Sequence, residues 1–202
     1  MQDEFYGTAN ELEYAAVARP CFGELVSGDA AIVQSRNGTL FLAMVDVLGH
    51  GPKAYELAVQ IRALLEAEWQ DDVTGTLLRL HEAIQGSIGA AAGLATLDLA
   101  SGKLRYAGVG NTVIRKFGAS STRLPSADGI IGNRMRSPRE YELQLGRSDV
   151  LTFYSDGIKD RFELAEYPQL IYESSRSVAR KIVRNYGKQF DDATCLVVRY
   201  KQ

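Results

Sequence analysis

The residues best suited to chemistry in this chain are aspartates that stand where apolar runs break. Asp29 follows Val26-Ser27-Gly28, and Asp46 follows Phe41-Leu42-Ala43-Met44-Val45. Asp156 follows Leu151-Thr152-Phe153-Tyr154-Ser155, and the pair Asp191-Asp192 precedes the last apolar run. A carboxylate at the end of a buried strand is costly to desolvate unless it is paired or bound to a cation. Several of them from distant segments make an oxygen-rich set suited to a hard cation such as Mg²⁺ or Mn²⁺. Taken singly, each Asp is equally at home starting a turn or capping a helix. Spacing alone does not bring them together.

The elements that must position these residues follow from periodicity. Residues 12–18 and 30–34 read as strands, and Arg36-Asn37-Gly38 carries the Asn-Gly hairpin signal. Residues 39–45 form a nearly continuous apolar run, expected as a strand buried on both faces. Leu57, Ala58, Ile61, Leu64, Leu65 and Trp69 recur at helical spacing after Pro52, and Leu77, Leu80 and Ile84 mark a second helix over 73–84. Strands are predicted at 94–99, 103–109, 111–117, 141–145, 150–155 and 194–200, with a helix at 174–186. Residues 120–138, rich in Ser, Gly, Arg and Pro, read as a long irregular loop of the kind that is usually functional or disordered. Hairpins with amphipathic helices inserted between them predict antiparallel sheets covered by helices, an α+β layered domain over residues 1–202.

Composition excludes several classes. The chain has 202 residues, 46% of them hydrophobic, which is enough for a core without disulfides. Its net charge of −2 argues against a nucleic-acid-binding domain. Cys21 and Cys195 match no metal-ligand spacing. The acidic start Met1-Gln2-Asp3-Glu4-Phe5 is no secretory signal, and no apolar run reaches the length of a membrane helix, so a cytoplasmic protein is expected. His50, between Gly49 and Gly51, reads as a turn residue, although it follows Asp46 by four positions and could in principle protonate a leaving group. His81 reads as structural or solvent-facing. Arg176, Arg180, Arg184 and Lys188 recur every four residues and read as a solvated helix face. Arg134, Arg136 and Arg139 sit in the long loop, where recognition residues are common.

Five stretches then acquire meaning together. Ser27-Gly28-Asp29, Asp46-Val47-Leu48-Gly49-His50-Gly51, Gly108-Val109-Gly110-Asn111, Ser155-Asp156-Gly157 and Asp191-Asp192-Ala193-Thr194 stand in one order and spacing. That order resembles the PPM-type metal-dependent Ser/Thr protein phosphatases, most of all their bacterial SpoIIE-like branch. Residues 96–108 resemble that branch's central hairpin and residues 24–29 its opening, so the resemblance runs over about residues 12–200. The small size, without a sensor or membrane module, is similar to the stressosome-resetting members of the branch.

The resemblance implies a four-layer sandwich, two antiparallel sheets flanked by helices. It implies two divalent ions, Mn²⁺ or Mg²⁺, with Asp46 bridging them, the Val47 carbonyl joining one, Asp156 and Asp191 holding the other, and Asp29 in the outer shell. Catalysis would then rest on Asp46, Asp156 and Asp191. The expected substrate is a phosphorylated STAS-domain protein, bound by a monomer with help from Arg134 and Arg136. Three departures stand out. Val47 replaces a family glycine and would be strained if that position needs positive φ. Asn111 replaces an Asp that supports a third metal in many relatives. Leu48 replaces a His that serves some relatives as general acid. Val47 and Leu48 leave open a pseudophosphatase that binds a partner without turnover.

Overall fold

The computed structural model describes residues 3–10, 12–119, 121–147, 149–159 and 172–200. Eleven strands and three helices are found among them, in the order β1 (Asp3–Ala9), β2 (Leu12–Arg19), β3 (Asp29–Arg36), β4 (Thr39–Val47), α1 (Pro52–Glu68), α2 (Val73–Ala83), β5 (Ala90–Asp98), β6 (Lys103–Val109), β7 (Val113–Phe117), β8 (Thr122–Leu124), β9 (Tyr141–Gln144), β10 (Val150–Tyr154), α3 (Ser175–Tyr186) and β11 (Ala193–Tyr200). Every named strand pair is antiparallel. One sheet has the order β3-β4-β5-β6-β9, the other β1-β2-β11-β10-β7-β8. The expected pair of antiparallel sheets flanked by helices is present.

The alternation of side chains along β4 shows how the layers form. Phe41, Ala43, Val45 and Val47 pack with Ile61, Leu65 and Leu77 of α1 and α2 on one face. Leu40, Leu42 and Met44 point the other way, against Leu151, Phe153, Leu196 and Val198 of the second sheet. A strand buried on both faces needs no polar alternation, which is why this run reads as continuous apolar sequence. Val178, Ala179, Ile182 and Val183 of α3 cover the outer face of the second sheet.

Local signals fix the connections. Asn37 (φ 53°) and Gly38 (φ 79°) make the β3–β4 turn with two positive-φ residues, as the right-handed strand twist requires. Asp72 caps α2 by accepting from the Gly75 N–H at 2.9 Å, and Ser174 caps α3 by accepting from the Ser177 N–H at 3.2 Å. His81 proves structural, its Nδ1 accepting from the Gly132 N–H at 3.0 Å.

One expectation needs correction: the arginine stripe is not simply solvated, because it meets β1, an edge strand that the sequence reading did not include. Arg176 and Arg180 both pair with Glu4 of β1, and the Arg176 guanidinium lies 4.3 Å from the Tyr6 ring centroid. The long loop also contains β8, which pairs with β7. Among the described residues, no helix is long and apolar enough to cross a membrane.

Candidate metal centre

The site lies where β3 begins, β4 ends, β10 ends and β11 begins, so it straddles the two sheets at one end of the sandwich. The β3–β4 register sets Asp29 directly opposite Asp46. Asp156 follows β10, and Asp191 lies two residues before β11 begins. Gly157 permits the close approach of these segments: a Cβ there would stand 1.7 Å from the Asp192 carbonyl oxygen.

The carboxylates act on one another. Burial pushes the Asp46 carboxyl up to about 7, helped by the charges of Asp156 and Asp191, while the Asp156 backbone N–H opposes the rise by hydrogen bonding. Asp191 is raised by burial and then by Asp156, and Lys188 partly offsets this from 4.0 Å. Asp29 is held well above the usual carboxylate range by burial and by Asp46. Asp46, Asp156 and Asp191 are therefore close electrostatic neighbours, with buried Asp29 behind Asp46. Desolvated, mutually repelling oxygens are relieved by a divalent cation, so the donor set fits a hard metal ion. Among the described residues, no three His, Cys, Asp or Glu side chains already converge as a finished cage.

A second set of contacts orients the carboxylates. Asn111 Nδ2 donates to Asp156 Oδ2 at 2.6 Å, so its amide braces an acidic side chain. Ser155 Oγ donates to Asp29 Oδ2 at 2.6 Å and accepts from the Thr194 N–H at 3.1 Å. Asp192 plays a different part from its neighbour: its two oxygens accept from the Cys21 and Gly28 N–H groups at 2.7 and 2.6 Å, tying down the β2–β3 connection. Sequence reasoning missed Ser155 and Asp192 as supports. Their only signal was position beside Asp156 and Asp191.

Val47 overturns one expectation. Its φ is not positive; it lies in extended β4 with its side chain fully buried in the core beneath α1 and α2. The strain expected of a β-branched residue there does not arise. His50 is indeed a turn residue between two positive-φ glycines, and its Nδ1 lies 2.9 Å from Glu24 Oε1.

Arg134 and Arg136 are both exposed, on a loop anchored beside the site. Ala127 of that loop accepts from the Gly110 N–H and donates to the Gly108 carbonyl, at 2.9 and 2.8 Å. The Arg136 guanidinium is 3.5 Å from Asp128. Neither arginine is among the main influences on the Asp29, Asp46 and Asp191 carboxyls.

Residues 36–201 match the family described as "Stage II sporulation protein E (SpoIIE)". The chain belongs to this family. It carries a SpoIIE-type PP2C phosphatase domain, as the five ordered stretches implied. Among curated proteins, phosphoserine phosphatase RsbX of Bacillus subtilis (strain 168) is 28% identical over 89 residues, a match spanning 44% of this chain and 45% of RsbX. Among solved structures, a chain from "The bacterial stressosome: a modular system that has been adapted to control secondary messenger signaling" is 28% identical. It has a TM-score of 0.86 and covers 93% of this chain and 99% of its own. The fold of RsbX in complex with magnesium is also similar, with a TM-score of 0.83 at 16% identity, covering 98% of this chain and 100% of RsbX.

Proposed function

We propose that this chain is a cytoplasmic, monomeric, metal-dependent protein phosphatase that removes phosphate from serine or threonine of STAS-domain stress-signalling proteins. The observation that carries the reading is that Asp46, Asp156 and Asp191, set at strand ends of two different sheets, act on one another: beyond burial, the charges of Asp156 and Asp191 raise the Asp46 carboxyl, and that of Asp156 raises Asp191. These three side chains and the Val47 carbonyl would hold two divalent ions, Mn²⁺ or Mg²⁺, with Asp29 in an outer position. When bound, such ions lower the pKa of water and neutralise phosphoryl oxygens.

The chain's own residues supply orientation. The Asp156 N–H holds the Asp46 carboxyl, Asn111 holds Asp156, and Ser155 holds Asp29. Phosphoryl transfer depends mainly on positioning and charge neutralisation, so this bracing is what the protein must provide. Similarity to RsbX and to a stressosome chain supports the choice of substrate. With Val47 unstrained, Leu48 alone speaks for a binding module without turnover.

The test is hydrolysis of p-nitrophenyl phosphate and of a phosphoserine-bearing STAS-domain protein, with Mn²⁺ and with EDTA. EDTA and Asp46→Ala should each remove nearly all turnover. A folded Asp46→Ala protein with full activity would refute the reading, and phosphoprotein binding without turnover would favour the binding module.

A further inference from the structure

Large apolar side chains that stay in water are usually scattered singly. Here the three most exposed among the described residues are Leu25, Phe190 and Phe22, at 86%, 82% and 78%. All three sit on the connections that carry the carboxylates. Phe22 and Leu25 lie between β2 and Asp29, and Phe190 immediately precedes Asp191.

These connections are rigid rather than loose. The Phe22 N–H donates to the Gln189 carbonyl at 2.9 Å, which joins the two loops to each other. Asp192 grips the first loop at both ends through the Cys21 and Gly28 N–H groups. Glu24, between Phe22 and Leu25, meets His50 on the loop that follows Asp46. The apolar side chains are thus held out on a fixed frame beside the metal centre. They have no such arrangement to gain from folding alone, since exposed Phe and Leu contribute little to the core.

We propose that Phe22, Leu25 and Phe190 form an apolar docking rim for the folded phosphoprotein substrate, which presents an apolar patch around its phosphorylated serine or threonine. This rests on the phosphatase reading. Only three bonds separate Cα from phosphorus in phosphoserine, so a substrate whose phosphate reaches the carboxylate site must lay its backbone and neighbouring surface against the surrounding loops. The rim is carried on the two connections that bear Asp29 and Asp191. Aromatic side chains such as Phe are enriched at protein interfaces, and side chains already held in place bind at low ordering cost. A short flexible peptide or an aryl phosphate offers no folded patch to cover them.

The experiment compares the wild-type chain, Phe22→Ser, Leu25→Ser, Phe190→Ser and the control Leu78→Ser at an exposed position of α2. Three substrates are used: p-nitrophenyl phosphate, a short phosphoserine peptide, and the folded phosphoserine STAS-domain protein from which the peptide is taken. Binding of the folded phosphoprotein is also measured by calorimetry. The rim variants should raise KM and Kd for the folded protein at least about tenfold and leave the constants for the two small substrates unchanged, and Leu78→Ser should match the wild type on all three. Unchanged constants for the folded protein would overturn the proposal. So would equal losses on all three substrates, or a wild-type dimer in size-exclusion chromatography that the rim variants convert to monomer. Rim-dependent binding without any turnover would uphold the rim while refuting the phosphatase reading.

Discussion

Replacing Asp46 with Asn should stabilise the chelator-treated protein while destroying its site. The substitution keeps the shape of the side chain and lets the Asp156 N–H go on donating to its oxygen. It removes a charge that the fold resists. The Asp46 carboxyl is raised from 3.8 to about 7, first by burial and then by Asp156 and Asp191. A carboxyl with a folded pKa above its unfolded one keeps a proton that the unfolded chain has already released. Stability therefore falls as pH rises from about 4, and the loss is complete above about 7. Three units at about 1.4 kcal/mol each correspond to about 4 kcal/mol. Asp156 and Asp191 are half-buried, so water screens their share. Roughly half, about 2 kcal/mol, is expected, or about 4–8 °C in Tm for a chain of this size. Thermal melts in EDTA should show the Asn variant ahead of wild type at pH 8, with the gap shrinking toward pH 5. Added Mn²⁺ should raise the wild-type Tm and leave the variant's unchanged, because only the wild-type site then binds the ion tightly. A difference in Tm that does not vary between pH 5 and pH 8 would refute the electrostatic reasoning.

Two further substitutions test other parts of the argument. Val47→Gly should cost about 3 kcal/mol, from a lost buried side chain and a more flexible unfolded backbone, and thermal melts should fall accordingly; a rise in Mn²⁺ affinity would show that Val47 strains the backbone after all. Arg134→Ala with Arg136→Ala should raise KM for a phosphorylated STAS-domain protein while leaving p-nitrophenyl phosphate hydrolysis and Tm nearly unchanged. Equal losses on both substrates would place these arginines at the phosphate itself.

What the sequence made legible was mostly local. The doubly buried β4, the Asn-Gly turn, the faces of α1 and α2, and the strand ends bearing Asp29, Asp46 and Asp156 are all written in periodicity and turn chemistry. The edge strand β1 was not, because nothing in Asp3–Ala9 alternates cleanly, and besides its pairing with β2 it meets arginines more than 170 residues away, Arg176 and Arg180. Those arginines looked solvated because a charge stripe does not say what it faces. The division of labour between Asp191 and Asp192 was equally hidden. Adjacent acids look alike in one dimension, while in the fold one meets Asp156 and the other takes two backbone N–H groups. The backbone of Val47 could be described only once its pairing with Ala90 was known.

The strand order has a consequence for synthesis. In the six-stranded sheet β11, the last strand in sequence, lies between β2 and β10. On the ribosome β3–β4 and β5–β6 can zip as hairpins and pair through β4 and β5 while the chain is still growing, but nothing bridges the β1–β2 pair to the β7–β10 pair until residues 193–200 have emerged. Asp29 and Asp46 belong to the early sheet, whereas Asp156 and Asp191 flank strands of the late one. A nascent chain therefore carries half of its carboxylate cluster on formed structure long before the other half arrives. The four carboxylates stand together on formed structure only after β11 has joined β2 to β10.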